Sequence, residues 1–365
     1  MSSQIFQSDP LAVHSLKVII ENQNVSGAYV ASPNFQQYRY AWLRDGAFCA
    51  LATHVAGDSQ STLKFHAWVV DTVLKHKKLF TDASAILEAG HQLSPEQSPP
   101  TRFHENGNLE EDHHSVWPNF QLDGYGTWIA VFNQTQSQYT DRELEAVRTV
   151  ADFLILSWKN PCYDCWEEGG DKIHGSTLLA LAGGLQSAFD ITKEVSYRDS
   201  AEKIREYIES NFVMDGHFIK HPGSTRVDSS LAWAALPHHA YESDNPILIE
   251  TLKIIKADLQ TQGGGVKRYL GDTYYGGGDW VLLEALLAWN QAANGDLEAF
   301  ENAIAWMRRV ADTNLDLPEQ VLNNVQTPEM IKPWEDRWGT NAKPLLWSHA
   351  MYLLLLNEGI RNQWI

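Results

Sequence analysis

Apolar residues recur at helical spacing over almost the whole chain. Twelve segments carry the pattern: 11–22, 44–56, 61–75, 126–138, 142–158, 176–192, 197–212, 229–239, 245–259, 280–293, 297–312 and 344–358. Convincing strands are almost absent. Every second segment is apolar nearly all round, as in Ala47-Phe48-Cys49-Ala50-Leu51-Ala52 or Leu231-Ala232-Trp233-Ala234-Ala235-Leu236. Several of the others are amphipathic, such as Arg142-Glu143-Leu144-Glu145-Ala146-Val147-Arg148. A helix apolar on all sides is buried, and an amphipathic one keeps a wet face. Six inner helices alternating with six outer ones predict an all-α fold, an (α/α)6 barrel. No linker or shift of composition divides the chain, so residues 1–365 read as one domain.

Polar and aromatic residues collect just before the inner segments: Arg44-Asp45, Gly124-Tyr125-Gly126, Trp166-Glu167-Glu168, Asp272 through Trp280, and Ala342-Lys343-Pro344. In alternating antiparallel helices these loops emerge on one face, so their side chains are expected to converge on one mouth. Ordinary capping and loop polarity is the alternative reading. Trp166-Glu167-Glu168-Gly169-Gly170 sets two adjacent carboxylates beside a Trp, although a helix N-terminus also favours acidic residues. Asp316-Leu317-Pro318-Glu319-Gln320 reads by itself as a turn. In Tyr38-Arg39-Tyr40-Ala41-Trp42-Leu43-Arg44-Asp45, Asp45 is placed to cap a helix and Arg44 to stay free. Gly263-Gly264-Gly265 and Gly276-Gly277-Gly278 flank Arg268 and an aromatic cluster, where backbone is expected to approach a ligand closely. Ser348 and His349 are sequence neighbours, whose side chains diverge on a helix and make no nucleophile–base pair. The pairs His113-His114 and His238-His239 lack metal-ligand spacing, as does Cys162-x-x-Cys165 without a second pair. What remains is a carboxylate pair with aromatics, an Arg and an Asp, the inventory for acid/base cleavage of a glycosidic bond.

Composition sharpens this in two ways. Fourteen Trp among 365 residues is an excess that stacking surfaces for sugars or bases would explain. A net charge of −18 then argues against nucleic acid, which needs clustered Lys and Arg. Lys75-His76-Lys77-Lys78 is short and reads as a solvated helix end. No apolar run is long enough to span a membrane, and the N-terminus shows no secretory pattern. A reduced, cytoplasmic protein is expected; its oligomeric state stays open.

Five motifs between about Tyr38 and Leu355, in order, resemble the catalytic domain of glycoside hydrolase family 15, the glucoamylases, glucodextranases and related α-glucosidases. The resemblance implies the same (α/α)6 barrel. It implies Glu167 as general acid and Glu319 as general base. Tyr38, Trp42, Arg44 and Asp45 match the segment gripping the non-reducing glucose. Glu168, Arg268, Asp272, Tyr274 and Trp280 match further sugar contacts, with Trp117, Trp166 and Trp347 beside them. It further implies inverting, exo-acting hydrolysis with no metal or organic cofactor and a short oligosaccharide as substrate. The acid is expected to be raised in pKa by Trp166 and neighbouring charge, and the base to stay ionised in a wetter setting. The continuation Gly169-Gly170-Asp171-Lys172-Ile173-His174-Gly175 departs from the aromatic-rich glucoamylase pattern. That departure turns the expected linkage toward α-1,6 isomaltose-type substrates, ahead of α-1,4 maltose-type ones and trehalose. A phosphorolytic glycosidase and a silent sugar-binding module are the readings from other classes.

Overall fold

The computed structural model describes residues 6–110 and 119–365, so Trp117 and the His113-His114 pair lie outside the described residues. The chain opens with α1 (Pro10–Glu21), α2 (Leu43–Val55), α3 (Ser59–Lys75) and α4 (Lys77–Glu88). Next come α5 (Asp123–Thr135), α6 (Asp141–Ser157), α7 (Gly175–Thr192), α8 (Val195–Asn211) and α9 (Pro246–Leu259). The last are α10 (Val281–Ala293), α11 (Leu297–Val310), α12 (Ile331–Trp338) and α13 (Leu346–Arg361). Among the described residues, six two-residue strands form three antiparallel pairs.

The inner ring closes. α2 packs on α5, α5 on α7, α7 on a short 3-10 segment (Ser229–Ala234), that segment on α10, α10 on α13, and α13 back on α2. Around it α1, α3, α6, α8, α9 and α11 each lie against an inner neighbour. The expected all-α barrel is therefore present, with one member altered. Segment 229–239 is not an α-helix: Asp228 accepts from Ser230 N–H at 2.9 Å and starts a 3-10 turn. Pro237, which has no N–H to donate, follows within the predicted span. Two helices were not expected. α4 continues beyond Lys75-His76-Lys77-Lys78, so that basic run joins two helices, and α12 lies near the cavity described below.

Capping separates the two rings. Five of the six outer helices start on side-chain caps: Asp9, Asp58, Thr140, Asn245 and Asp296 each accept a backbone N–H of the first turn, and only α8, preceded by Glu194, does not. The inner helices α2, α5, α7, α10 and α13 have none. Trp42 and Trp280 stand at the cap positions of α2 and α10, each in a strand leading straight into its helix. Asp45 therefore lies in the first turn of α2 and does not cap it. Close helix contact accounts for the Gly124-Tyr125-Gly126 motif. A Cβ on Gly126 would come within 2.5 Å of the Ala180 carbonyl oxygen, and one on Gly184 within 2.6 Å of the Gly126 Cα. Glycine here lets α5 and α7 touch backbone to backbone.

Among the described residues no helix is long and apolar enough to cross a membrane. Cys49, Cys162 and Cys165 are buried free thiols.

Candidate active site

A cavity of about 1640 Å³ opens where the inner helices begin. Its wall includes Tyr38, Trp42, Arg44, Asp45, Trp166, Glu167, Glu168, Arg268, Tyr274, Trp280, Glu319 and Trp347. Residues scattered over some three hundred positions thus meet at one mouth.

Glu319 is held by backbone on both sides. Its N–H donates to Ala342 O at 2.9 Å, and its carbonyl accepts from Val281 N–H at 3.2 Å. Pairing of Asp279–Trp280 with Gln320–Val321 ties the same segment to the start of α10. The preceding residues are fastened from α13: Ser348 donates to Pro318 O at 2.8 Å, and Leu317 N–H donates to His349 Nε2 at 3.0 Å. Because His349 Nε2 accepts, Nδ1 carries the proton and faces Ser15 Oγ at 2.8 Å. Burial holds this imidazole neutral, its pKa down to about 3. His14, Asp316 and His349 have ligating atoms within 4.8 Å of one another. Both His349 nitrogens are already engaged, which leaves that trio poorly suited to a metal.

The Glu319 side chain is only 2% exposed. Tyr38 donates its hydroxyl to Oε1 at 2.8 Å, whereas Oε2 is buried with no hydrogen-bond partner. Burial pushes the carboxyl up to about 8; the Tyr38 hydrogen bond and Arg268 pull it down, and Glu167 and Asp45 push it up. The wetter setting expected for this residue is not found: Glu319 occupies a dry one.

Glu167 sits on the loop ahead of α7 in the left-handed backbone region, φ 67°. Such a conformation is uncommon for a residue with a side chain and must be imposed by its surroundings. Gln121 Nε2 reaches Glu167 Oε1 at 3.4 Å. Next to it, Glu168 accepts from the Tyr269 hydroxyl and pairs with Arg268 at 3.3 Å. Burial raises the Glu168 carboxyl, and Arg268 opposes the rise.

Arg268 is enclosed. Its guanidinium lies over the rings of Trp166, Tyr274 and Trp280 at 5.4, 5.1 and 5.2 Å, and Asp272 binds it through two oxygens at 2.7 and 2.6 Å. Asp272 also accepts from Tyr274 N–H. It does not line the cavity, so this expected sugar contact is instead the clamp that orients Arg268. Arg44 is likewise engaged rather than free: Nη1 donates to Gln121 at 2.7 Å and Asp123 at 2.9 Å. Burial pushes the neighbouring Asp45 up to about 6 against the pull of Arg44.

The glycine runs serve packing. A Cβ on Gly264 would meet Trp306 at 2.6 Å, one on Gly265 would meet Asp279 at 2.6 Å, and neither glycine lines the cavity. Sequence reasoning missed Gln121 and the face of α12 that brings Trp334, Arg337 and Trp338 to the cavity wall. Trp334 donates to Thr273 O at 3.0 Å and stacks edgewise on Tyr274. Its one visible signal was the four-residue spacing of Trp334 and Trp338, which places both on one helical face.

The family model described as glycosyl hydrolases family 15 matches residues 11–357. Isomaltose glucohydrolase of Kribbella flavida is 38% identical over 367 residues, covering 98% of this chain and 94% of its own. A solved glycosidase, 37% identical, superposes with a TM-score of 0.91 over 98% of each chain. A bacterial glucoamylase complexed with acarbose, 20% identical, shares the fold with a TM-score of 0.74 over 97% of this chain and 56% of its own.

Proposed function

The chain belongs to glycosyl hydrolases family 15, and from that premise we propose that it removes the terminal glucose of short α-gluco-oligosaccharides with inversion, preferring isomaltose. One observation carries the reading: a dry carboxylate, Glu319, offers an unpartnered oxygen in the cavity that a second carboxyl, Glu167, also lines. Glu167 donates its proton to the departing glycosidic oxygen as the bond to the anomeric carbon breaks. A water held by Glu319 Oε2 attacks that carbon from the other face and passes its proton to Glu319. Room for this water corresponds to a separation of roughly 6.5–9.5 Å between the carboxyl groups.

Desolvation makes the ionised Glu319 a strong base. Positive charge developing on the sugar ring favours its ionised form, so attraction grows toward the transition state. Tyr38 holds Oε1 and thereby leaves Oε2 to the water. Asp45 and the Arg44 edge not bound to Asp123 contact sugar hydroxyls, with Trp42 and Trp347 as apolar walls. The closed inner ring supports attack at a chain end. The isomaltose preference is supported by the Kribbella flavida relative, similar along nearly its full length.

Glucose release measured side by side on isomaltose, maltose, trehalose and longer dextrins tests the proposal. The highest kcat/KM is expected on isomaltose. A clear preference for another linkage would overturn the substrate assignment, and release from none would overturn the hydrolase reading.

A further inference from the structure

Lys220 lies just after a short strand (His217–Phe218) and does not line the cavity. Its carbonyl accepts the N–H of Gly175, the first residue of α7. The ammonium lies between two carboxylates that are each only 1% exposed, 3.1 Å from Asp164 and 2.9 Å from Asp228, with the Tyr269 ring 4.0 Å away. His174 Nδ1 is 4.0 Å from the same Asp164 oxygen. Buried carboxylates persist as charges only when paired. The proposed reaction uses none of these three side chains.

Both partners of Lys220 grip the loop that carries Glu167. Asp164 Oδ1 accepts the N–H of Trp166 and the N–H of Glu168, each at 2.9 Å, so one carboxylate oxygen straddles Glu167. Glu167 N–H itself donates to the Asp164 carbonyl at 2.9 Å. Asp228 accepts the Trp166 indole N–H at 3.0 Å and is held by Ser230 N–H and Oγ. Glu167 between these anchors keeps its left-handed backbone. A chain of ionic contacts therefore runs from Lys220 to the backbone that aims Glu167.

We infer that Lys220 is a positioning residue for the proton donor: by holding Asp164 and Asp228 as carboxylates, it keeps the 164–168 turn wound so that Glu167 faces the leaving oxygen. Without the cation the two buried carboxylates lose their shared counter-ion, take up protons or draw in water, and accept backbone N–H groups less strongly. The turn relaxes and Glu167 moves off line, which is costly because small misplacements of a catalytic group are costly. This rests on Glu167 being the acid proposed above.

The test separates proton donation from everything else. Isomaltose needs a protonated leaving group, whereas α-glucosyl fluoride releases fluoride without one. Lys220→Met is expected to lower kcat on isomaltose about a hundredfold and to leave α-glucosyl fluoride hydrolysis nearly unchanged, with Lys220→Arg restoring most of the loss. Equal losses on both substrates, or no loss on isomaltose, would overturn the inference. If the Met variant does not fold, Asp228→Asn takes its place; it keeps an oxygen for Trp166 and Ser230 and is expected to show the same split. Glu167→Gln is the reference. If it lacks the split, the acid assignment itself fails; if it shows the split and the Lys220 variants do not, the positioning role alone fails.

Discussion

Two tyrosines and a glutamate form a directed chain at the base side of the cavity. Since Tyr38 donates its single proton to Glu319, the 3.0 Å contact between the tyrosine hydroxyls requires Tyr274 to donate to Tyr38. The chain ends on Oε1 and stabilises the ionised carboxylate in a place that burial makes hostile to charge. Replacing Tyr38 by Phe removes the donor and makes the carboxylate harder to form. The sign follows: Glu319 pKa rises further, and the acidic limb of kcat/KM, where the base becomes protonated, moves to higher pH. A displacement of about one to two pH units is expected, because hydrogen bonds to charged groups are worth about 1.5–3 kcal/mol and 1.36 kcal/mol corresponds to one unit. A pH–rate profile of Tyr38→Phe on isomaltose measures it, and an unmoved limb would count against Glu319 as the base. The identities of both residues were legible in the sequence through the resemblance. The dryness of Glu319 was not, since its neighbours Tyr38 and Tyr274 come from segments far apart in the chain.

Among the elements, α5 and α7 show how helix contact sets the inner ring. Gly126 and Gly184 permit an approach that no side chain could share. Gly184→Ala places a methyl against the backbone of α5, which cannot rotate away, and is expected to destabilise the protein by about 1–3 kcal/mol. Urea unfolding measures the effect; an unchanged midpoint would contradict the backbone contact. Element by element, the apolar periodicity held where packing follows it, as in α2, α7, α10 and α13. It fails at 229–239, where the all-apolar run contains Pro237 and forms a 3-10 turn. α4 repeats apolar residues at Leu79, Phe80, Ala83, Ile86 and Leu87, a legible pattern, but the basic run ahead of it reads as a helix end. α12 buries no residue, so the hydrophobic pattern carried little sign of it.

At the scale of the molecule, the barrel turns a one-dimensional alternation into a site. The inner α-helices lack side-chain caps and start in aromatic or loop residues at one cavity, while most outer helices are capped and carry the polar surface. The Trp excess divides along the same line. Trp42, Trp166, Trp280, Trp334, Trp338 and Trp347 line the cavity, and Trp68, Trp233 and Trp306 fill the core. Alternation and ordered motifs made the barrel and its mouth readable. Buried ionic links such as Lys220 with Asp164 and Asp228 were not, because residues 164, 220 and 228 become neighbours only when the chain folds. In the proposed reaction Glu167 and Glu319 act on opposite faces of one glucose unit. Proton NMR of freshly released glucose from isomaltose, recorded before mutarotation, tests it most directly. The β-anomer is predicted to appear first; initial release of the α-anomer would contradict the account.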